Sequence, residues 1–221
     1  KNETFNKKTV VISGSGNVAQ YSCQKAIELG AKVVTLSDSS GFIYDKDGIS
    51  SDKLKFIFHL KNEKRGRIKE YADKFNCQFF EGKPWSVACD IALPCATQNE
   101  LNSEDATKLI TNGCVCVSEG ANMPCTPDAI SIFQAAKILY APGKASNAGG
   151  VATSALEMSQ NSLRMYWSPK EVDEKLKRIM SQIHESCVKY GKEEGYIDYV
   201  KGANVAAFFK IAHSMIDQGV V

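Results

Sequence analysis

The chain has 221 residues, with 27 Lys+Arg against 25 Asp+Glu for a formal net charge of +2; 43% of residues are hydrophobic and 24% charged. That is ordinary globular composition, which excludes a disordered chain, and near-neutral charge argues against a nucleic-acid binder that lives on phosphate attraction. No stretch approaches the ~18 apolar residues of a membrane-spanning helix, and no basic-then-apolar leader is visible, so a cytoplasmic protein away from membranes is expected.

Residues 1–8, KNETFNKK, read as a tail or a cut end running straight into a strand, Thr9–Ser13. Val18, Ala19, Tyr21, Cys23, Ala26, Ile27 and Leu29 then recur near helical spacing, and Gly30 stands where a helix C-cap belongs. A second strand follows over Lys32–Ser37, and the polar stretch Ser37–Ser51 reads as a turn region. Further strands are expected at Cys77–Phe80, Asp90–Leu93, Cys114–Ser118 and Lys137–Tyr140, separated by helices near 66–75, 103–111 and 126–135. Strands spaced by helices mean right-handed βαβ crossovers and an α/β fold: a Rossmann-like, doubly wound, mostly parallel sheet. From residue 147 the pattern changes to a helical C-terminal segment, with helices near 149–166, 169–192 and 203–218 and no strand between them. Ser168-Pro-Lys-Glu171 supplies an N-cap, a first-position proline and a capping-box acid.

The eight cysteines, at 23, 77, 89, 95, 114, 116, 125 and 187, form no CxxC pair, and none lies at metal-ligand spacing from His59, His184 or His213. Reduced, buried thiols are expected, with no disulfide framework and no metal site.

The informative motif is Gly14-Ser-Gly16-Asn-Val-Ala19, between the first strand and the first helix. Gly14 suits a tight turn, Gly16 lets backbone approach a pyrophosphate, and Ala19 permits close helix–strand packing, while the helix N-terminus offers free N–H groups and the positive end of its dipole. Asp38, at the end of the second strand, holds the acidic position expected near an adenosine ribose. An acid there usually favours NAD, because it bonds the 2′-hydroxyl and repels a 2′-phosphate. Here Ser37, Ser39 and Ser40 flank it and Lys61, Lys64, Arg65 and Arg67 follow, which tips the balance narrowly to NADP, although such basic residues can equally form a solvated helix face.

The same residues carry a family resemblance. Val11-Ile-Ser-Gly-Ser-Gly-Asn-Val-Ala-Gln-Tyr21, Ser37-Asp-Ser-Ser-Gly41, Asp90-Ile-Ala-Leu-Pro-Cys-Ala-Thr-Gln-Asn-Glu-Leu101, Ser118-Glu-Gly-Ala-Asn-Met-Pro124, Pro142-Gly-Lys-Ala-Ser-Asn-Ala-Gly-Gly-Val-Ala-Thr-Ser154 and Leu156-Glu-Met-Ser-Gln-Asn161 closely resemble the C-terminal half of hexameric, NADP-dependent glutamate dehydrogenases. Tyr199–Asn204 and Gln218–Val221 resemble the end of that family, so the likeness runs through the whole chain in order.

The resemblance implies roles for particular residues. Gly14, Gly16, Asn17 and Val18 would lie at the pyrophosphate and its ribose. Asp38 and Ser39 would sit at the adenosine ribose and its 2′-phosphate, with Lys61 and Arg67 as basic partners. Ala96, Thr97 and Gln98 would line the cofactor cleft, and Asn122 would lie at the nicotinamide ribose. Asn147, Val151 and Ser154 would face glutamate, with the Ser154 hydroxyl on its side-chain carboxylate. Duller roles remain open: Asn122 as a turn cap, Asn147 as a helix N-cap, and Ser154 bonded back to a helix carbonyl.

The implied reaction interconverts L-glutamate with 2-oxoglutarate and ammonium, and it needs a lysine of lowered pKa, a proton-shuttling carboxylate and basic clamps for two carboxylates. In the resembling family most of these belong to an N-terminal substrate domain that nothing here matches. No catalytic residue is therefore assigned, Lys144 included, and the chain is expected to bind NADP without turning over glutamate. Residues 1–200 are expected to form the dinucleotide-binding domain, and 201–221 a helix that would pack on the substrate domain of a homohexamer. The alternatives are a leucine, phenylalanine or valine dehydrogenase, or a stand-alone, non-catalytic NADP(H)-binding module.

Overall fold

The computed structural model describes residues 3–219, which divide into two compact units between Tyr140 and Ala141. The sequence reading extends the dinucleotide-binding domain to residue 200, whereas the division by compactness falls within the last strand of the main sheet, Leu139–Ala141.

In the first unit, β1 (Thr9–Ile12) is apolar and β-branched, and Val10, Val11 and Ile12 are all buried. Helix α1 (Asn17–Glu28) follows the glycine turn and turns Ala19, Cys23 and Ala26 to the core. It stops in a Schellman arrangement, with Gly30 at φ +86°, Gly30 N–H donating to Ile27 and Ala31 N–H to Ala26. β2 (Lys32–Val33), β6 (Ile91–Leu93), β7 (Cys116–Ser118) and β8 (Leu139–Ala141) complete a five-stranded sheet in the order β2-β1-β6-β7-β8. β1 runs parallel to β2 and β6, and β6 parallel to β7. The strand order reverses beside β1, which makes its C-terminal end the switch point of a doubly wound sheet. Helices α4 (Ser103–Thr111), capped by the reciprocal Asn102–Asp105 box, and α5 (Pro127–Ala135), capped by Thr126, provide the later crossovers.

The sequence reading needs three corrections here. The expected strand at 32–37 is broken: after Val33 the chain leaves the parallel sheet, and β3 (Thr35–Asp38) joins an antiparallel sheet. The Thr35 hydroxyl causes the break, since it accepts from Ile12 N–H and donates to Ile12 C=O, both at 3.0 Å, in place of ladder partners. Second, the polar stretch 37–51 turns at Ser39–Ser40 and again at Lys46–Asp47, but a strand lies between the two turns: β4 (Gly41–Tyr44) folds back on β3, and β5 (Gln78–Phe80) pairs antiparallel with β4 rather than joining the parallel sheet. Third, α2 (Ser51–Phe58), capped by Ser50, runs into a π-helical turn over His59–Glu63 before α3 (Lys69–Phe75).

The second unit is mainly helical: α6 (Gly143–Ser146), α7 (Ala148–Leu163), α8 (Pro169–Gly191) and α9 (Tyr199–Asp217). The capping box of Ser168 and Glu171 opens α8 as its sequence indicates. A small hairpin, β9 (Lys192–Glu193) with β10 (Tyr196–Ile197), joins α8 to α9 where no strand was expected, turning at Gly195 with φ +69°. α9 begins at Tyr199 rather than 203, because Asp198 caps it through a bond from Lys201 N–H. Gly202 packs against the Cys187 carbonyl so closely that no Cβ fits. Val220 and Val221, in the family-like terminus, lie outside the described residues.

Candidate dinucleotide site

At the carboxyl edge of β1 the chain turns through Gly14 at φ +81°, and a Cβ there would lie 2.8 Å from the Cys95 carbonyl oxygen. Gly14 N–H donates to Ser37 Oγ at 2.7 Å, and Ser37 N–H returns to Gly14 C=O at 3.0 Å. Gly16 differs: φ is −79°, and a Cβ would meet nothing within 4 Å. Its lack of a side chain serves no internal contact and leaves the turn open to an approaching group. Gly16 is the N-cap of α1 and supplies no side-chain bond, and the first turn has no acid. The initial N–H groups of Asn17, Val18 and Ala19 therefore offer an anion the unopposed positive end of a twelve-residue helix. Asn17 and Val18 are exposed and Ala19 is buried, as the packing role of that alanine requires.

Asp38 closes β3. Its Oδ1 accepts from Ser40 N–H at 2.9 Å and Ser40 Oγ at 2.5 Å; its Oδ2 accepts from Ile68 N–H at 2.8 Å and Lys61 Nζ at 3.3 Å. Burial works to raise its pKa, but the bonds from Ser40 and Ile68 and the Lys61 charge outweigh burial and hold it below the ordinary carboxylate value. Four donors fill the four lone-pair sites of a carboxylate. Arg67 Nη1 lies 2.6 Å from Ser39 Oγ, and Lys61 Nζ also reaches Gly66 C=O at 2.8 Å. Asp38, Ser39, Lys61 and Arg67 are thus one cluster.

Two loops follow β6 and β7. Ala96, Thr97 and Gln98 are exposed, and buried Glu100 secures them: its Oε1 accepts from Ala96 N–H at 2.9 Å and from Ser13 Oγ at 2.8 Å. Asn122 is exposed on the second loop, which is anchored by buried Glu119, whose Oε1 accepts from Tyr140 Oη at 2.6 Å and from Cys125 N–H at 3.3 Å. Backbone bonds lace the two loops together: Gly120 and Ala121 N–H donate to Pro94, Asn99 N–H to Met123 and Leu101 N–H to Pro124.

Ser13, Glu100, Glu119 and Tyr140 carry no role in the sequence reading. The signal for each was a polar group amid apolar strand ends. Gln20 is a further case, a buried amide on the apolar face of α1.

The three residues placed toward glutamate lie in the second unit. Asn147 stands at the N-cap of α7 without a side-chain capping bond. Val151 and Ser154 are exposed on α7, where the bond back to a helix carbonyl is made by the neighbouring Thr153, to Gly149 at 2.9 Å. Among the described residues there is no group of three His, Cys, Asp or Glu able to hold a metal ion, and no helix long and apolar enough to cross a membrane. All eight cysteines are free thiols.

The doubly wound parallel sheet, with its glycine turn at the switch point, places the chain among Rossmann-like α/β proteins. Residues 1–219 match the family model of Glutamate/Leucine/Phenylalanine/Valine dehydrogenase, and the chain belongs to that family. It is 64% identical over 216 residues to the glutamate dehydrogenase of Bacteroides thetaiotaomicron, covering 97% of this chain and 49% of that protein. It is 59% identical over 223 residues to the NADP-specific glutamate dehydrogenase of Haemophilus influenzae, covering 100% of this chain and 50% of the relative. The crystal structure of Plasmodium falciparum glutamate dehydrogenase superimposes with a TM-score of 0.91 at 50% identity, covering 96% of this chain and 46% of that one. The chain spans about half the length of the curated relatives it matches. The names of such relatives divide between NADP-specific, NAD-specific and NAD(P)-specific.

Proposed function

We propose that the chain is the coenzyme-binding part of an NADP(H)-dependent oxidoreductase that interconverts L-glutamate with 2-oxoglutarate and ammonia. The observation that carries the reading is the glycine turn, with open space over Gly16 beside an uncapped, acid-free helix N-terminus. A pyrophosphate suits that turn by charge, and no side chain at Gly16 blocks its approach. Lys61, Arg67 and Ser39 support a 2′-phosphate at the adenosine ribose. Asp38 does not oppose it strongly, because its charge is offset by Lys61 and its oxygens already accept four bonds from the protein.

NADP(H), when bound, supplies or accepts the hydride of the reaction. The work of this chain is to hold it. In this reading Gly14, Gly16, Asn17 and Val18 meet the pyrophosphate and its ribose, and Asp38, Ser39, Lys61 and Arg67 frame the adenosine end. Ala96, Thr97, Gln98 and Asn122 line the nicotinamide side, on loops that Glu100 and Glu119 keep in place. Asn147, Val151 and Ser154 face the substrate, and the Ser154 hydroxyl suits a side-chain carboxylate better than the apolar side chains of leucine, phenylalanine or valine. No general acid or base is assigned in this chain. The assignment of 1–200 to coenzyme binding, of 201–221 to a helix that packs on an N-terminal substrate domain, and of the whole to a cytoplasmic homohexamer draws its support from the family resemblance.

A paired titration with NADPH and NADH, followed by nicotinamide fluorescence, tests the reading. Preferential NADPH binding is expected. Equal or NADH-favoured binding would reverse the cofactor assignment, and no binding of either would defeat the assignment of the glycine turn in this chain.

A further inference from the structure

We propose that Gln20 and Asn62 form a positioning pair that sets selectivity for a 2′-phosphorylated dinucleotide, by fixing Lys61 at a set distance from the glycine turn. The inference rests on the dinucleotide reading above and concerns residues outside the glycine motif and the basic cluster.

Gln20 is 0% exposed, yet it lies on the face of α1 that otherwise buries Ala19, Cys23 and Ala26. A buried amide on an apolar face is costly unless its bonds are made. Here they are made to two partners. Gln20 Nε2 donates to Ser15 C=O at 2.7 Å and to Asn62 Oδ1 at 3.2 Å, and Asn62 Nδ2 donates back to Gln20 Oε1 at 3.1 Å. The Ser15 carbonyl can only accept, so it fixes the orientation of the Gln20 amide, and through it that of Asn62. Two side chains thus tie the middle of the glycine turn to residue 62.

Asn62 is next to Lys61, and both sit in the π-helical turn His59–Glu63, closed by Lys64 N–H to His59 C=O at 3.1 Å. Such widened turns are rare and gather at functional sites. In this one, two successive side chains each find an inward partner: Lys61 bonds Asp38 and the Gly66 carbonyl, and Asn62 bonds Gln20. The ammonium of Lys61 is therefore held relative to the Ser15–Gly16 backbone by directional bonds. A ligand with both a pyrophosphate and a 2′-phosphate reads that spacing at two points. One without the 2′-phosphate needs the turn alone.

The test uses the 221-residue chain with NADPH and NADH as probes, in the unsubstituted form and as Asn62→Ala, Asn62→Ser, Lys61→Met and the Lys61→Met/Asn62→Ala double variant. Asn62 is at the surface, and thermal melting confirms folding of each variant; Asn62→Ser serves if the alanine variant melts early. Loss of Asn62 is expected to weaken NADPH about tenfold and to leave NADH within about twofold. Because Asn62 acts through Lys61, the double variant should bind NADPH no more weakly than Lys61→Met alone. Equal losses for both nucleotides, an additive loss in the double variant, or no loss would each overturn the proposal. Failure of the unsubstituted chain to bind either nucleotide would overturn the dinucleotide reading itself and this inference with it.

Discussion

Ser13 Oγ donates to Glu100 Oε1 at 2.8 Å, joining the last residue before the glycine turn to the loop that follows β6. The same hydroxyl accepts from Cys95 N–H at 2.9 Å, so one serine and one carboxylate fix the path of residues 95–100. Burial raises the pKa of Glu100, and the bonds from Ala96 and Ser13 offset this only in part. The native state then keeps a proton that the unfolded chain releases near its ordinary value of about 4.5. Its contribution to stability is full below that value and is lost as pH rises through the raised native pKa. Urea unfolding of the chain and of Glu100→Gln, between about pH 4 and pH 8, should show the unsubstituted protein losing stability relative to the variant as pH increases. A difference that stays flat with pH would mean that burial does not govern this carboxylate.

The two glycines of the turn should separate stability from binding. Gly14→Ala forces a Cβ at φ +81° toward the Cys95 carbonyl oxygen, and is expected to cost about 1–3 kcal/mol. Gly16→Ala adds a methyl group to empty space at an ordinary φ, and should change stability by less than about 0.5 kcal/mol while weakening NADPH by tenfold or more. Denaturant unfolding and nucleotide titration of both variants check the contrast. Equal destabilisation, or undiminished NADPH binding by the Gly16 variant, would remove the distinction.

What the sequence made legible was whatever local pattern encodes. β1, α1 and the Gly30 stop follow from an apolar run, helical spacing and one glycine, and the Ser168–Glu171 box opened α8 as written. The pattern over Lys32–Ser37 reads as one strand, and neither its break after Val33 nor its change of sheet is visible there, because both depend on a threonine hydroxyl bonding a residue 23 positions earlier. β4 was hidden by its short, glycine-led segment in polar surroundings, and acquires its identity only from pairing with β3 and β5. At the candidate site the glycines and Asp38 were marked by type and spacing. Ser13, Gln20, Asn62 and Glu100 were not, since each matters through a bond to a residue far away in sequence. Asp38 shows the limit of reading by type alone: its acidity was visible, its four protein donors were not.

Those donors make Asp38 a structural anchor whatever it does toward a ligand. Its side chain is 9% exposed and its pKa is depressed on balance, so its contribution is present above the ordinary Asp value and is lost as pH falls through the lower native pKa. Asp38→Ala strands the Ile68 N–H and frees Lys61, and should cost about 1–3 kcal/mol near neutral pH. The gap between the two proteins should close on acidification. If Asp38 served mainly to repel a 2′-phosphate, the variant would instead gain NADPH affinity with little change in stability; titration beside unfolding separates the two roles.

Helix α9 turns one side to α8, where Gly202 meets the Cys187 carbonyl and Phe209 stacks on Tyr190 at 5.3 Å between ring centroids. Phe208, Ile211 and Ile216 point elsewhere, at 66%, 61% and 60% exposure. Apolar side chains left open together on one helix favour association over solubility. Light scattering of the chain should therefore show self-association that grows with concentration. Ile211→Lys with Ile216→Lys should suppress it while shifting unfolding by less than about 0.5 kcal/mol, because both side chains are largely exposed, whereas Phe208 packs edge-on against Phe209. A monomer at every concentration, with α9 helical by circular dichroism, would show that this surface carries no drive to associate. Loss of helicity in the double variant would show that the two side chains stabilise α9 within its own unit.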